Sequence, residues 1–124
     1  MLNEQQIFGQ TGEALSCYLL EQNGYIILEK NFKTKMGEID IIARDKNTIV
    51  FIEVKARRTG NFGNPKYAVN WKKKKKISMA ALYYLKTTNQ SNAKARFDVV
   101  SIISEPSKKP QIEIIKNAFE LAYG

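Results

Sequence analysis

The sequence predicts a mixed α/β fold, a central sheet flanked by helices, and three observations carry that expectation. Apolar residues recur at helical spacing over residues 5–22 and 70–86, while the segments between and after them are rich in β-branched and aromatic residues. The resulting order, α-β-β-β-α-β-β, suits helices covering a sheet. The long helix between the third and fourth strands leaves room for a parallel crossover. With 124 residues, the chain has the length of one domain with a single core, and residues 1–124 are read as one.

The first helix, Gln5 to Gln22, places Ala14, Leu15, Tyr18 and Leu19 at helical spacing, and Asn23-Gly24 supplies its stop. A strand from Tyr25 to Phe32 ends before the Lys-Thr-Lys-Met-Gly turn. Strands Glu38–Arg44 and Thr48–Ala56 meet at Asp45-Lys46-Asn47 as a hairpin. Arg57 to Asn70, with Gly60, Asn61, Gly63, Asn64 and Pro65, reads as a long loop with room for one helical turn after Pro65. Asn70 is placed to cap a helix to Lys86 that buries Ile77, Ala80, Ala81, Tyr84 and Leu85. Strands Arg96–Ile103 and Gln111–Ile115 follow, then a short helical turn in Asn117–Tyr123.

Twenty Lys and Arg against twelve Asp and Glu give a net charge of +8, which favours polyanionic partners such as nucleic acid. There is no His and only one Cys, Cys17, which nearly excludes a structural zinc site and rules out an internal disulfide. The start MLNEQQIFGQ lacks the regions of a secretory signal, and no apolar run approaches the roughly 20 residues that span a bilayer. A cytoplasmic protein without a membrane partner is expected.

The hairpin carries the chemistry. Antiparallel partners have residue numbers of constant sum, and a two-residue Lys46-Asn47 turn with Asp45 facing Thr48 puts Asp40 opposite Glu53 and Glu38 opposite Lys55. Like charges directly opposite are destabilising, with Cβ atoms only about 4.5–5.5 Å apart. Ile42, Ile49 and Phe51 share that face, whereas Ile39, Ile41, Val50, Ile52 and Val54 fill the other, so open solvent is a poor remedy. A raised carboxylate pKa is a second remedy, and a bound cation is the one that also suggests chemistry. Mg²⁺ is held by one or two carboxylates and completes its shell with water and phosphate oxygens. Lys55, about 6.6 Å along the strand from Glu53, could then orient the attacking water or stabilise charge on a scissile phosphate. An exposed salt-bridge ladder, with Glu38 paired to Lys55, accounts for the same residues as plain structure.

Gly37-Glu38-Ile39-Asp40 and Glu53-Val54-Lys55 resemble the PD-(D/E)xK nuclease signature, with Ile39 where the literal motif has Pro. Gly12-Glu13-Ala14, Asn31-Phe32, Phe51 to Lys55, Asn64-Pro65, Ala68-Val69, Tyr84-Leu85, Arg96 to Val100 and Asn117-Ala118-Phe119 together resemble the YraN family of small bacterial proteins. That family is classed as endonuclease-like and distantly similar to archaeal Holliday junction resolvases. The resemblance implies a restriction-endonuclease-like core, with Asp40 and Glu53 as ligands of Mg²⁺ or Mn²⁺ and Lys55 as the catalytic lysine. It also implies that Glu13 brings a further acid to the metal from the first helix, although an acid early in a helix is favoured by the dipole alone. Resolvase-like relatives are often dimers, which makes a homodimer the corresponding expectation.

Lys72 to Lys76 occupy successive helical positions and cannot all touch one ligand. Lys72, Lys73, Lys75 and Lys76, with Arg57 and Arg58 just past Lys55, are the candidate contacts to nucleic acid phosphates. Phe62, Tyr67 and Trp71 are placed either to stack on bases or to pack the loop. Arg96 and Asp98 read as a structural ion pair. The expected function is a Mg²⁺-dependent DNA endonuclease acting on phosphodiester bonds, branched DNA included. The alternative is a nucleic-acid-binding or scaffold module of the same fold with little or no turnover.

Overall fold

The computed structural model describes residues 4–58, 70–105 and 107–120. Its elements are α1 (Glu4–Gln22), β1 (Ile26–Lys33), β2 (Glu38–Asp45), β3 (Thr48–Arg58), α2 (Trp71–Thr87), β4 (Lys94–Ser104) and β5 (Gln111–Phe119). They form one mixed sheet in the order β1-β2-β3-β4-β5. All neighbours are antiparallel except β3 and β4, whose parallel pairing is made through α2. This is the predicted α/β order.

Local chemistry sets the boundaries. Past α1, Gly24 takes a left-handed φ of 87°, and the amides of Gly24 and Tyr25 donate back to the carbonyls of Glu21 and Leu20 at 3.1 and 3.0 Å. Those two bonds satisfy carbonyls that the helix end leaves free and turn the chain into β1. At the start of α2, Asn70 Oδ1 accepts from the Lys73 amide at 2.9 Å. Ile77, Ala80, Ala81, Tyr84 and Leu85 then face the sheet, as their spacing predicts.

The helices cover opposite faces of the sheet. On the α2 side Ile42, Ile49, Phe51, Phe97 and Val99 pack against Ile77, Ala80 and Tyr84, and on the α1 side Ile41, Val50, Ile52, Val100 and Ile102 pack against Cys17 and Leu20. Among the described residues no helix is long and apolar enough to cross a membrane. At the end of the sheet near the β2–β3 turn, Arg96 joins Asp98 and Asp45, each at 2.8 Å, and Tyr25 Oη donates to Asp98 Oδ2 at 2.8 Å. The Arg96–Asp98 ion pair is thus structural, as expected, and it ties the end of α1, the hairpin turn and β4 together.

Four expectations are corrected. First, β3 does not end at Ala56: it continues to Arg58 because β4 pairs with it through Ser104, so Arg57 and Arg58 belong to a strand. Second, Asn117–Phe119 extends β5 and forms no helical turn. Asn117 adopts a φ of 53° and its amide donates to Asp98 Oδ1 at 2.9 Å, which absorbs a bulge and lets Phe119 stack on Phe97 with centroids 4.8 Å apart. Third, Ile39 lies on the α2 side with Ile42 rather than with Ile41. Its partner in β1 is Phe32, which packs on the same cluster, and the neighbouring Asn31 is left-handed with φ 52°. A left-handed residue interrupts the side-to-side alternation of a strand, and both strands change face here. Fourth, Lys55 pairs with Glu53 of its own strand rather than across the hairpin with Glu38. The turn expected after Pro65 and the tail beyond Glu120 lie outside the described residues.

Candidate functional site

The site lies where β2 leaves β3. The hairpin keeps the predicted register from Asp45↔Thr48 to Ile41↔Ile52, and the paired ladder stops there. One residue further, the Asp40 side chain takes over: its Oδ2 accepts the Val54 amide at 2.9 Å. A carboxylate therefore stands in for a backbone carbonyl at the mouth of the opening strands, held in place by a main-chain donor.

Glu53 alternates with Phe51 along β3 and so reaches the α2 face, where it is only 5% exposed. Burial is the largest influence on its carboxyl and the negative charge of Asp40 the next; together they push its pKa up to about 7 in spite of two nearby lysines. Lys73 Nζ, from α2, lies 3.3 Å from Glu53 Oε1, and Lys55 Nζ lies 3.7 Å from the same oxygen. Two carboxylates and two ammonium groups thus converge at the end of the hairpin ladder.

The remaining candidates divide. Glu13 lies in the middle of α1, beyond the first turn where the dipole favours an acid, and it does not join the pair: its Oε1 accepts from Asn31 Nδ2 at 3.1 Å. Asn31 falls between Lys30 and Phe32, the partners of Ile41 and Ile39, and so stands next to Asp40 in the register of β1 and β2. Among the described residues no three acidic, His or Cys groups come close enough to hold a metal together. A Cβ on Gly12, next to Glu13, would sit 3.3 Å from Ile102 Cδ1, so α1 runs close to β4 there. Arg57 is half-buried and has an interaction partner. The Arg58 side chain, Phe62 and Tyr67 lie outside the described residues. Trp71 opens α2 with 61% exposure.

The lysine run is sorted by the helix. Lys73 and Lys76 line a cleft of about 420 Å³ between α2 and the β1–β2 turn, opposite Lys33 and Lys35. Lys72 is exposed on the first turn, and Lys75 has a partner of its own. The contact of Lys73 with Glu53 was missed by sequence reasoning, yet a signal for it existed. Residue 73 is four before Ile77 and continues the buried stripe of α2 toward its N-terminus, so a lysine there points at the sheet. The sequence likewise singled out neither Lys33 nor Lys35.

The profile of the uncharacterised protein family UPF0102 matches residues 12–102, a span that includes Glu13, Asp40, Glu53 and Lys55. A UPF0102 protein of Desulfosudis oleivorans is 47% identical over 120 residues, 97% of this chain and 95% of its own length. One from Geobacter metallireducens is 53% identical over 115 residues, 93% of each chain. A third, from Clostridium botulinum, is 45% identical over 115 residues, 91% of this chain and 94% of its own. With the profile spanning most of the chain and relatives matching it nearly end to end, the protein belongs to the UPF0102 family, to which its YraN-like residues pointed.

Proposed function

We propose that this protein is a PD-(D/E)xK-type endonuclease with a restriction-endonuclease-like core, which hydrolyses phosphodiester bonds of DNA with the help of Mg²⁺ or Mn²⁺. One observation carries this reading: a carboxylate only 5% exposed is placed beside a second carboxylate where a strand ladder opens, with a lysine two positions along the same strand. As plain structure that arrangement is unfavourable, because burial and like charge both oppose ionisation of Glu53.

The residues fit a hard divalent cation. Asp40 and Glu53 are oxygen donors, and two carboxylates form the partial shell that Mg²⁺ commonly accepts, the rest coming from water and substrate phosphate. When bound, the ion supplies positive charge that activates water for attack and offsets charge building on the phosphate. The protein does the positioning. The Val54 amide fixes the direction of Asp40. Lys55, only partly buried, is free to turn from Glu53 Oε1 toward a phosphate oxygen and neutralise developing charge there. The part proposed for Glu13, whose partner Asn31 stands next to Asp40 in the strand register, is to orient water at the rim. Branched or junction DNA is the substrate class that the likeness to resolvases adds.

A second reading, a binding or scaffold module with little turnover, is favoured by the two lysines that already neutralise Glu53. Titration calorimetry with Mg²⁺ and Mn²⁺ separates the two. Heat of binding in the wild type, lost in Asp40→Asn, supports the metal centre. No binding by the wild type overturns the metal centre and leaves the second reading.

A further inference from the structure

The β1–β2 turn and the first half of α2 face each other across the cleft of about 420 Å³. Lys33 and Lys35 stand on the turn side and Lys73 and Lys76 on the helix side, with Glu38 as the acid among the lining residues. Four ammonium groups therefore share a concave surface with one carboxylate. The first turn of α2 carries no acidic residue, so the positive end of the helix dipole adds to this potential.

The walls are held in fixed relation. A Cβ on Gly37 would lie 2.6 Å from the Lys76 carbonyl oxygen, so the turn rests on the backbone of α2 at a distance that only glycine allows. Within the turn, Thr34 Oγ1 accepts from the amides of Met36 and Gly37, both at 3.1 Å, and donates to the Gly37 carbonyl at 2.8 Å. Those amides are thereby engaged inside the turn. The cationic groups that the cleft offers a ligand are its lysine side chains, which act as mobile point charges. Lys73 also contacts Glu53, so the cleft opens directly beside the acid pair.

We propose that this cleft seats the backbone of a polynucleotide, with Lys33, Lys35, Lys73 and Lys76 neutralising phosphates that flank the one presented to Lys55. The proposal rests on the nuclease reading for its direction, but the binding it asserts does not depend on cleavage. Contacts made by point charges to phosphates make such a seat tolerant of sequence and strongly dependent on salt. Glu38 acts against the ligand, so its neutralisation tightens binding.

The test is fluorescence anisotropy with a short labelled DNA duplex in EDTA, between about 50 and about 200 mM salt. The variants are Lys33→Gln/Lys35→Gln, Glu38→Gln and a charge-matched control, Lys46→Gln/Lys94→Gln, at the opposite end of the hairpin, where Thr48 pairs with Lys94. The cleft pair should weaken binding on the order of tenfold and lower the slope of log affinity against log salt by about two, roughly one for each phosphate that is no longer neutralised. Glu38→Gln should tighten binding, and the control should lose less than the cleft pair. All four lysines of these two variants are exposed, so matched thermal unfolding is expected and is measured alongside. Equal losses in the cleft pair and the control, or no binding of the duplex by the wild type, overturn the proposal. Binding that depends on the cleft without any cleavage in Mg²⁺ upholds the cleft and refutes the nuclease reading instead.

Discussion

Replacing Glu53 by Gln removes a charge that the metal-free fold holds under protest, and the consequence for stability follows from linkage. A carboxyl whose folded-state pKa exceeds its unfolded value binds its proton more tightly in the folded chain. Below pH 4.5, the ordinary value, it is protonated in both states and has no effect; between 4.5 and about 7 the unfolded chain ionises first and stability falls; above about 7 the loss is complete. The rise from 4.5 to about 7, at about 1.4 kcal/mol per pH unit, amounts to about 3 kcal/mol. In EDTA, Glu53→Gln should therefore exceed the wild type in stability by up to about 3 kcal/mol above pH 7, and the advantage should vanish toward pH 4.5. Urea unfolding of both proteins across that range measures it, and subtracting the two curves cancels the titrating groups that do not interact with Glu53. Mg²⁺ should then reverse the ranking at neutral pH, because only the wild type has both ligands. A difference that stays flat with pH would refute the claim that burial and Asp40 hold this carboxyl back from ionising.

Three further outcomes follow from individual side chains. Lys55→Ala should lower single-turnover DNA cleavage by about a hundredfold or more while leaving the far-ultraviolet circular dichroism unchanged; undiminished cleavage assigns the activity to another site. Gly37→Ala would put a methyl group 2.6 Å from the Lys76 carbonyl oxygen and should lower stability by about 1–3 kcal/mol in urea unfolding; an unchanged midpoint would show that the turn can lift off α2 freely. Arg96→Met leaves the fully buried Asp98 without its cation and should lower stability by about 3–5 kcal/mol, read as a drop in thermal midpoint.

Periodicity and pairing arithmetic reached much of this architecture. The Lys46-Asn47 turn fixed the hairpin register, and the apolar stripe from Ile77 to Leu85 fixed which side of α2 meets the sheet. What escaped depends on single residues with positive φ. Asn31 and Asn117 each leave the extended conformation inside a strand, and no count of apolar positions registers that. The first lies in β1 next to the point where Ile39 and Ile41 of β2 take opposite faces, and it supplies the side chain that binds Glu13; the second carries β5 to Phe119. The association of Glu53 with Lys73 depended on tertiary packing, and only the continuation of the α2 stripe hinted at it. Asp40 was found as an acid opposite another, but its bond to the Val54 amide follows from the ladder stopping one residue earlier.

Cleavage is the most direct test of the central claim, that Asp40, Glu53 and Lys55 form a metal-dependent phosphodiester-hydrolysing site. Labelled duplex, single-stranded and four-way-junction DNA are incubated with wild type and Asp40→Asn, in Mg²⁺ and in EDTA. Asn keeps an oxygen to accept the Val54 amide, so this variant changes charge while sparing the local fold. The expected result is Mg²⁺-dependent cutting of at least one substrate by the wild type, abolished by EDTA and lost in Asp40→Asn. Cutting that persists in Asp40→Asn, or no cutting of any of the three substrates, would contradict it.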